Sequence, residues 1–137
     1  MQETFTPAAI RALRRAEQEA RDLGCEGTGT EHVLMGLVRT GAIEAELRGR
    51  GVDPETVYAA CLALFTQPRP PKRTGPAPFS PKVLHVFEMA GAGAGPAELF
   101  AALMKEPEGG AFKAMQAIPQ KKEGPAGGKP AGPERER

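Results

Sequence analysis

The sequence predicts an all-α fold of two tandem pseudo-repeats of a four-helix motif, the second repeat truncated. Three observations predict it. Between residues 7 and 65 apolar side chains recur at helical spacing, in runs opened by capping residues and mostly closed by glycine. A Phe-Thr/Ser-Pro triplet occurs twice, as Phe5-Thr6-Pro7 and Phe79-Ser80-Pro81, offset by 74 residues. Alanine supplies 22 of the 137 residues and Leu, Ile, Val and Phe only 25 together. That composition suits a small core of closely packed helices, because alanine loses no side-chain entropy in a helix.

The first helix opens at Thr6, a capping residue, and Pro7, whose missing N–H has no intrahelical partner at the first position. Ile10, Leu13, Ala16, Ala20 and Leu23 form its apolar stripe. Arg11, Arg14, Arg15, Glu17, Glu19 and Arg21 are placed on the other face, and Gly24 stops the helix. Thr30 is read as the cap of a second helix, Glu31 to about Arg39, closed by Gly41. A short third helix carries Ile43 and Leu47 and ends at Gly51. Asp53-Pro54-Glu55 opens a fourth, which runs through Val57, Leu62 and Phe65.

Residues 1–118 are expected to form one double domain, with a first repeat over 1–65, a proline-rich linker over 66–78 and a degenerate second repeat over 79–118. The linker carries Pro68, Pro70, Pro71, Pro76 and Pro78 with Arg69, Lys72 and Arg73, so it should be extended and partly polyproline-like. Ser80-Pro81 then reopens a helix with Val83, Leu84, Val86 and Phe87. A second correspondence, offset by 66, sets residues 30–38 against 96–104, so the second copy has lost 8 residues between the two marks. A short last helix falls around Ala111 to Ile118. Residues 119–137 hold almost no apolar side chain except alanine and are expected to be disordered.

Charge and composition exclude several functions. Lys and Arg (18) nearly cancel Asp and Glu (17), so nothing in the net charge of +1 favours nucleic acid or an anionic membrane. Apolar runs fall far short of the ~20 residues of a membrane span. The opening Met1-Gln2-Glu3-Thr4-Phe5 lacks the basic and apolar regions of a secretory signal. Two cysteines are too few for a disulfide framework or a thiolate-rich zinc site. Cytoplasmic residence is therefore expected. The Gly91-Ala92-Gly93-Ala94-Gly95 stretch lacks the Lys and hydroxyl of a phosphate loop, which excludes that route to ATP hydrolysis.

The paired triplets, Gly29-Thr30-Glu31-His32 before Val33-Leu34-Met35-Gly36-Leu37, and Gly51-Val52-Asp53 together resemble the Clp repeat. This is the helical N-terminal domain of Clp-type AAA+ unfoldases, most like the ClpC and ClpA branch. The likeness is close over residues 4–65 and weaker over 79–118. It implies a stand-alone N-domain without ATPase modules, one that docks adaptors and substrates and does no chemistry. Partners of that kind would be Clp unfoldase or peptidase subunits or their substrates, with no cofactor. In some members the Glu of each Gly-Thr-Glu-His motif recognises phosphoarginine. Glu31 matches that Glu; the second position is Ala97 with Glu98 one place along, a departure from a paired reader.

The residues themselves leave two readings of Glu31 open. A carboxylate in the first turn of a helix is favoured by the helix dipole, and it can also grip a guanidinium in a bidentate pair. Thr6, Phe5 and Phe79 join Glu31 as candidate partner- or ligand-binding residues. The two phenylalanines either staple their helices into the core or meet between the repeats as an apolar docking patch. His32 cannot share a helix face with Glu31 and is read as a packing or hydrogen-bonding histidine. His85 has only Glu88 at helical reach, a poor metal site. Cys61 is read as a small core residue. A Cys25–His32 nucleophile pair lacks an orienting third group, so no catalytic residue and no metal ligand is assigned. Arg69, Lys72, Arg73, Lys121 and Lys122 lack interleaved aromatics and are read as solubilising rather than nucleic-acid-binding.

The chain is therefore expected to be a non-catalytic protein-binding module, an adaptor-like or regulatory accessory of the Clp unfoldase–protease system. The alternative is a free-standing receptor for phosphoarginine or a similar group. Because Gly91 to Gly95 replaces the end of a helix, the second half should open more readily than the first. Amide hydrogen exchange is expected to show lower protection over 79–118 than over 7–65; equal protection would contradict it.

Overall fold

The computed structural model describes residues 4–65 and 70–119; residues 66–69 of the expected linker and 120–137 of the expected tail lie outside the described residues. Among the described residues seven helices follow in order: α1 (Pro7–Asp22), α2 (Thr30–Arg39), α3 (Glu44–Gly49), α4 (Pro54–Leu62), α5 (Pro81–Ala90), α6 (Pro96–Leu103) and α7 (Gly110–Gln116). The fold is all-α. Among the described residues no helix is long and apolar enough to cross a membrane.

Local chemistry starts each helix. Thr6 Oγ1 accepts from the Ala9 N–H at 3.2 Å, and Ser80 Oγ accepts from the Val83 N–H at 3.3 Å, so both Phe-Thr/Ser-Pro triplets open helices in the same way. Asp53 Oδ2 takes the Glu55 N–H at 3.0 Å to begin α4. The start of α2 differs from expectation. Gly29, in extended backbone, is the N-cap, and Thr30 is the first helical residue. The Gly29 N–H is instead held by His32 Nδ1 at 2.9 Å, which frees the Thr30 hydroxyl to accept from the Ala111 N–H of α7 at 3.2 Å. At the start of α6, the Gly95 N–H is held by Glu98 Oε1 at 2.9 Å, three residues on as in α2. Phe65 falls beyond the end of α4, in the turn that follows it.

α2 is the central helix. Thr30, His32, Val33, Leu34, Met35, Gly36 and Leu37 are all buried, and the helix packs against α1, α4, α5, α6 and α7. Its closest neighbour is α1, where Ala9, Ala12, Leu13, Ala16 and Ala20 line the contact. Glu19 belongs to this buried face and not to the solvent face where the sequence reading put it: it is only 3% exposed. Phe5 and Phe79 converge edge-on on Phe87, with ring centroids 5.3 and 5.1 Å away.

The two halves hold each other. The Thr6 N–H donates to the Ala94 carbonyl at 3.0 Å, just before α6, and the Ser80 N–H donates to the Thr28 carbonyl at 3.0 Å, just before α2. Thr28, fully buried, also donates its own N–H to the Pro78 carbonyl (2.8 Å) and its hydroxyl to the Ala77 carbonyl (2.7 Å). The described linker residues form no helix and are pinned along the α1–α2 loop. Farther upstream in the linker, Arg73 N–H caps the Arg21 carbonyl at 2.9 Å, and Pro70 and Pro71 press on Gly24, whose φ of +75° and lack of Cβ both suit the place.

At Gly36 a Cβ would lie 2.2 Å from the Ala12 carbonyl oxygen and 2.8 Å from the Ala16 nitrogen, both backbone atoms that cannot step aside. Gly36→Ala should therefore force α1 and α2 apart. A loss of about 3 kcal/mol in unfolding free energy, at the upper end of ordinary overpacking, is expected in urea melts, with an unchanged slope.

Candidate functional site

The N-terminus of α2 meets the N-terminus of α7, and Glu31 stands at the junction. Its backbone begins a helix, so its carboxylate sits in a favourable field. A Cβ at Gly110 would lie 2.5 Å from Glu31 Oε1, and one at Gly29 2.9 Å from Oε2, so two glycines leave just enough room for this side chain. Gly109 is as tight: its Cβ would fall 2.7 Å from Thr30 Oγ1. Glu31 is half-buried, yet its carboxylate has no hydrogen-bond or ion-pair partner among the described residues. A half-shielded carboxylate with its lone pairs unengaged can accept from a cationic donor such as a planar guanidinium.

The groups around it are quiet. Burial raises the Cys25 thiol, with the Glu31 charge adding to the effect. Cys61, wholly buried, is pushed up to about 12 by the same two causes. Neither is an activated nucleophile at neutral pH. His32 is a buried, hydrogen-bonding histidine: Nδ1 is occupied by Gly29, and the ring stacks on Phe65 at 5.2 Å. Burial lowers its pKa, against the opposing pull of Glu31 and Glu19. Among the described residues no group of three or more His, Cys, Asp or Glu could hold a metal. His85 pairs with Glu106 at 2.9 Å on the surface, a contact between helix α5 and the loop before α7 that local spacing did not show.

The other candidate residues lie elsewhere. Thr6 is at the start of α1 beside α6: its Oγ1 would be 3.5 Å from a Cβ at Gly95. It does not share the corner of Glu31. Phe5 is 5% exposed and Phe79 half-buried, and each packs edge-on against the buried Phe87 of α5, beside the starts of α1 and α5.

Sequence reading missed a second polar cluster. Glu19 accepts from Arg15 Nε at 2.8 Å and from the Tyr58 hydroxyl at 2.5 Å, joining α1 to α4. The Arg39 guanidinium lies 3.7 Å over the Tyr58 ring, bringing in α2. Burial and the bond to Glu19 both raise the Tyr58 pKa, so the phenol stays a donor. The available signal was spacing: Glu19 stands three residues after Ala16, on the apolar stripe. Its partner, 39 residues on, has no local signature.

The model of the Clp repeat (R) N-terminal domain matches residues 4–118. The chain belongs to the Clp repeat N-terminal domain family. In curated relatives, it is 60% identical over 63 residues to the ATP-dependent Clp protease ATP-binding subunit ClpA homolog of Porphyra purpurea, covering 44% of this chain and 8% of that protein. It is 39% identical over 62 residues to the chloroplastic chaperone protein ClpC of Pisum sativum, covering 44% and 7%. The chain thus matches less than a tenth of the length of either relative. The N-terminal domain of the caseinolytic protease associated chaperone ClpD from Arabidopsis thaliana shares the fold, with a TM-score of 0.68 over 85% of this chain and 88% of that one at 23% identity. A structure from a malarial protein secretion system does so at 0.70, over 84% of each chain, with 13% identity. The Clp N-domain family is helical and non-catalytic, and in Clp unfoldases it takes part in substrate and adaptor binding.

Removing the Tyr58 hydroxyl leaves a buried carboxylate short of a donor. Tyr58→Phe is expected to cost about 2 kcal/mol, the range for a hydrogen bond to a charged group. Denaturant unfolding at pH 7 measures it; a change within error would mean that water replaces the phenol at no cost.

Proposed function

We infer that this Clp N-domain is a non-catalytic protein-binding module, an adaptor-like or regulatory accessory of the Clp unfoldase–protease system, and that Glu31 is the centre of its recognition surface. The carrying observation is the half-buried Glu31 carboxylate, unpartnered among the described residues and framed by Gly29 and Gly110. Its geometry suits a guanidinium offered by a partner or substrate protein. Phe5 and Phe79 support the junction of the two halves from beneath, and Thr6 marks the second junction, where Ala97 stands in place of an acidic residue. No cofactor, metal, nucleic acid or membrane enters this reading, and cytoplasmic residence belongs to it. The same carboxylate also supports a second reading, a phosphoarginine receptor that works apart from Clp proteolysis.

Two measurements separate the readings. Purified protein is added to Clp-dependent degradation of a model substrate, and phosphoarginine is titrated into wild type and Glu31→Ala. An effect on degradation that is lost in Glu31→Ala supports the accessory role. Loss of at least tenfold in phosphoarginine affinity, about 1.4 kcal/mol, with degradation unchanged by either protein, supports the free-standing receptor. No effect on degradation and no binding in either protein ends both.

A further inference from the structure

His32 is only 2% exposed, and its two ring nitrogens stand in unequal surroundings. Nδ1 accepts the Gly29 N–H at 2.9 Å, so in the neutral ring the proton is on Nε2. Nε2 is buried and has no hydrogen-bond partner among the described residues. The ring is held flat against Phe65. The bond to Gly29 fixes the turn Gly29-Thr30-Glu31, and the next residue of that turn, Thr30, binds the first turn of α7 through the Ala111 N–H. One imidazole therefore holds Glu31 in place and, through Thr30, the helix that frames it.

An imidazolium cannot do this. It has a donor on each nitrogen and no acceptor. A proton on Nδ1 would face the Gly29 N–H, donor against donor, and would bring a charge into a site closed to water. We propose that His32 is a positioning residue for the Glu31 site and that its protonation releases the Gly29–Glu31 turn, so that the site is assembled at neutral pH and loosened in mild acid. The ligand consequence rests on the reading of Glu31 above; the cap and its release do not.

The surroundings set the sign. Two charged groups act on the ring: Glu19 of α1, already bonded to Arg15 and Tyr58, and Glu31 of α2. Cys25 and Cys61 feel the same Glu31 charge. α7 turns Ala111, Ala114 and Met115 inward and leaves Lys113 exposed. The two carboxylates favour the imidazolium, but burial is the larger effect and lowers the folded-state pKa. The unfolded or opened chain therefore takes up the proton first, at about pH 6.5. Stability from this group is complete above that pH and is lost as the pH falls below it. At the start of α6 the same cap is made by the exposed carboxylate of Glu98 in place of an imidazole. Gly95, capped without a histidine, is therefore the internal control for Gly29.

Residue-resolved amide exchange of the full chain at pH 7.0 and 5.5, corrected for intrinsic rates, tests this in wild type and His32→Gln. Glutamine keeps an acceptor at the third helical position and does not titrate. In wild type, protection at Gly29 and Ala111 should fall by about eightfold, the ratio in which an opened imidazole of pKa about 6.5 gains protonated states. Gly95 should not change. His32→Gln should keep the neutral-pH protection and lose the pH response. An equal response in His32→Gln, or none in wild type, overturns the proposal. If His32→Gln does not fold, nitrogen NMR of the wild-type ring serves instead. A bare Nδ1 at pH 7 that gains its proton as Gly29 opens supports the cap; ring titration without opening overturns it. Phosphoarginine binding measured at the same two pH values should weaken in wild type alone. Exchange behaving as described with no phosphoarginine binding at either pH would leave the cap standing and remove the ligand reading.

Discussion

Everything in this fold is arranged around the passage of α2 against α1 with no side chain between them at Gly36. Backbone contact at that point sets the spacing of the two longest stretches of the first half, and Ala12 and Ala16 keep it short. A chain with few large apolar residues has no other way to fill a core at ordinary density. Because α2 is hemmed in on nearly all sides, its polar residues have to be satisfied internally or tolerate strain. Thr30 and His32 are nearly inaccessible, and each is matched to a backbone N–H that the helix geometry would otherwise leave free.

The same crowding explains why polar chemistry is concentrated at one end of α2. Gly29, Gly109 and Gly110 bring two helix starts together more tightly than any side chain would permit, and Glu31 fills the gap between them. At the other side of the helix, Glu19, Tyr58 and Arg39 tie α1, α4 and α2 with a buried charge that has named partners. One carboxylate is satisfied and locks the scaffold; the other is held open by that scaffold. This contrast separates a partnered acid from an unpartnered one more clearly than their positions in the sequence do.

Much of the fold was legible because it rests on short-range signals. Thr6-Pro7, Asp53-Pro54 and Ser80-Pro81 announce helix starts through hydroxyl or carboxylate caps and fixed proline φ, and each start is found where it was read. Thr30 misled for a physical reason: a better acceptor, His32, stood three residues on, and the Thr30 hydroxyl was needed 81 residues away. Glu19 misled because charge outweighed spacing in the reading. The pairing of Glu31 with Gly110 and the pinning of the linker to Thr28 and Arg21 are contacts at long separation, and no local pattern encodes them. The family resemblance singled out Glu31; only the tertiary structure shows that its carboxylate is framed and left open.

The exchange of hydrogen bonds between the halves bears on how such a chain can change over time. Thr6 takes its backbone partner from Ala94, two residues before α6, and Ser80 takes its own from Thr28, two residues before α2. Neither half therefore has a complete set of helix starts alone, and cutting the gene between them would leave each product with unmet amides at its most ordered points. The second half is consequently no appendage. It is the complement without which the first half is unfinished, since each supplies the backbone acceptor at a helix start of the other.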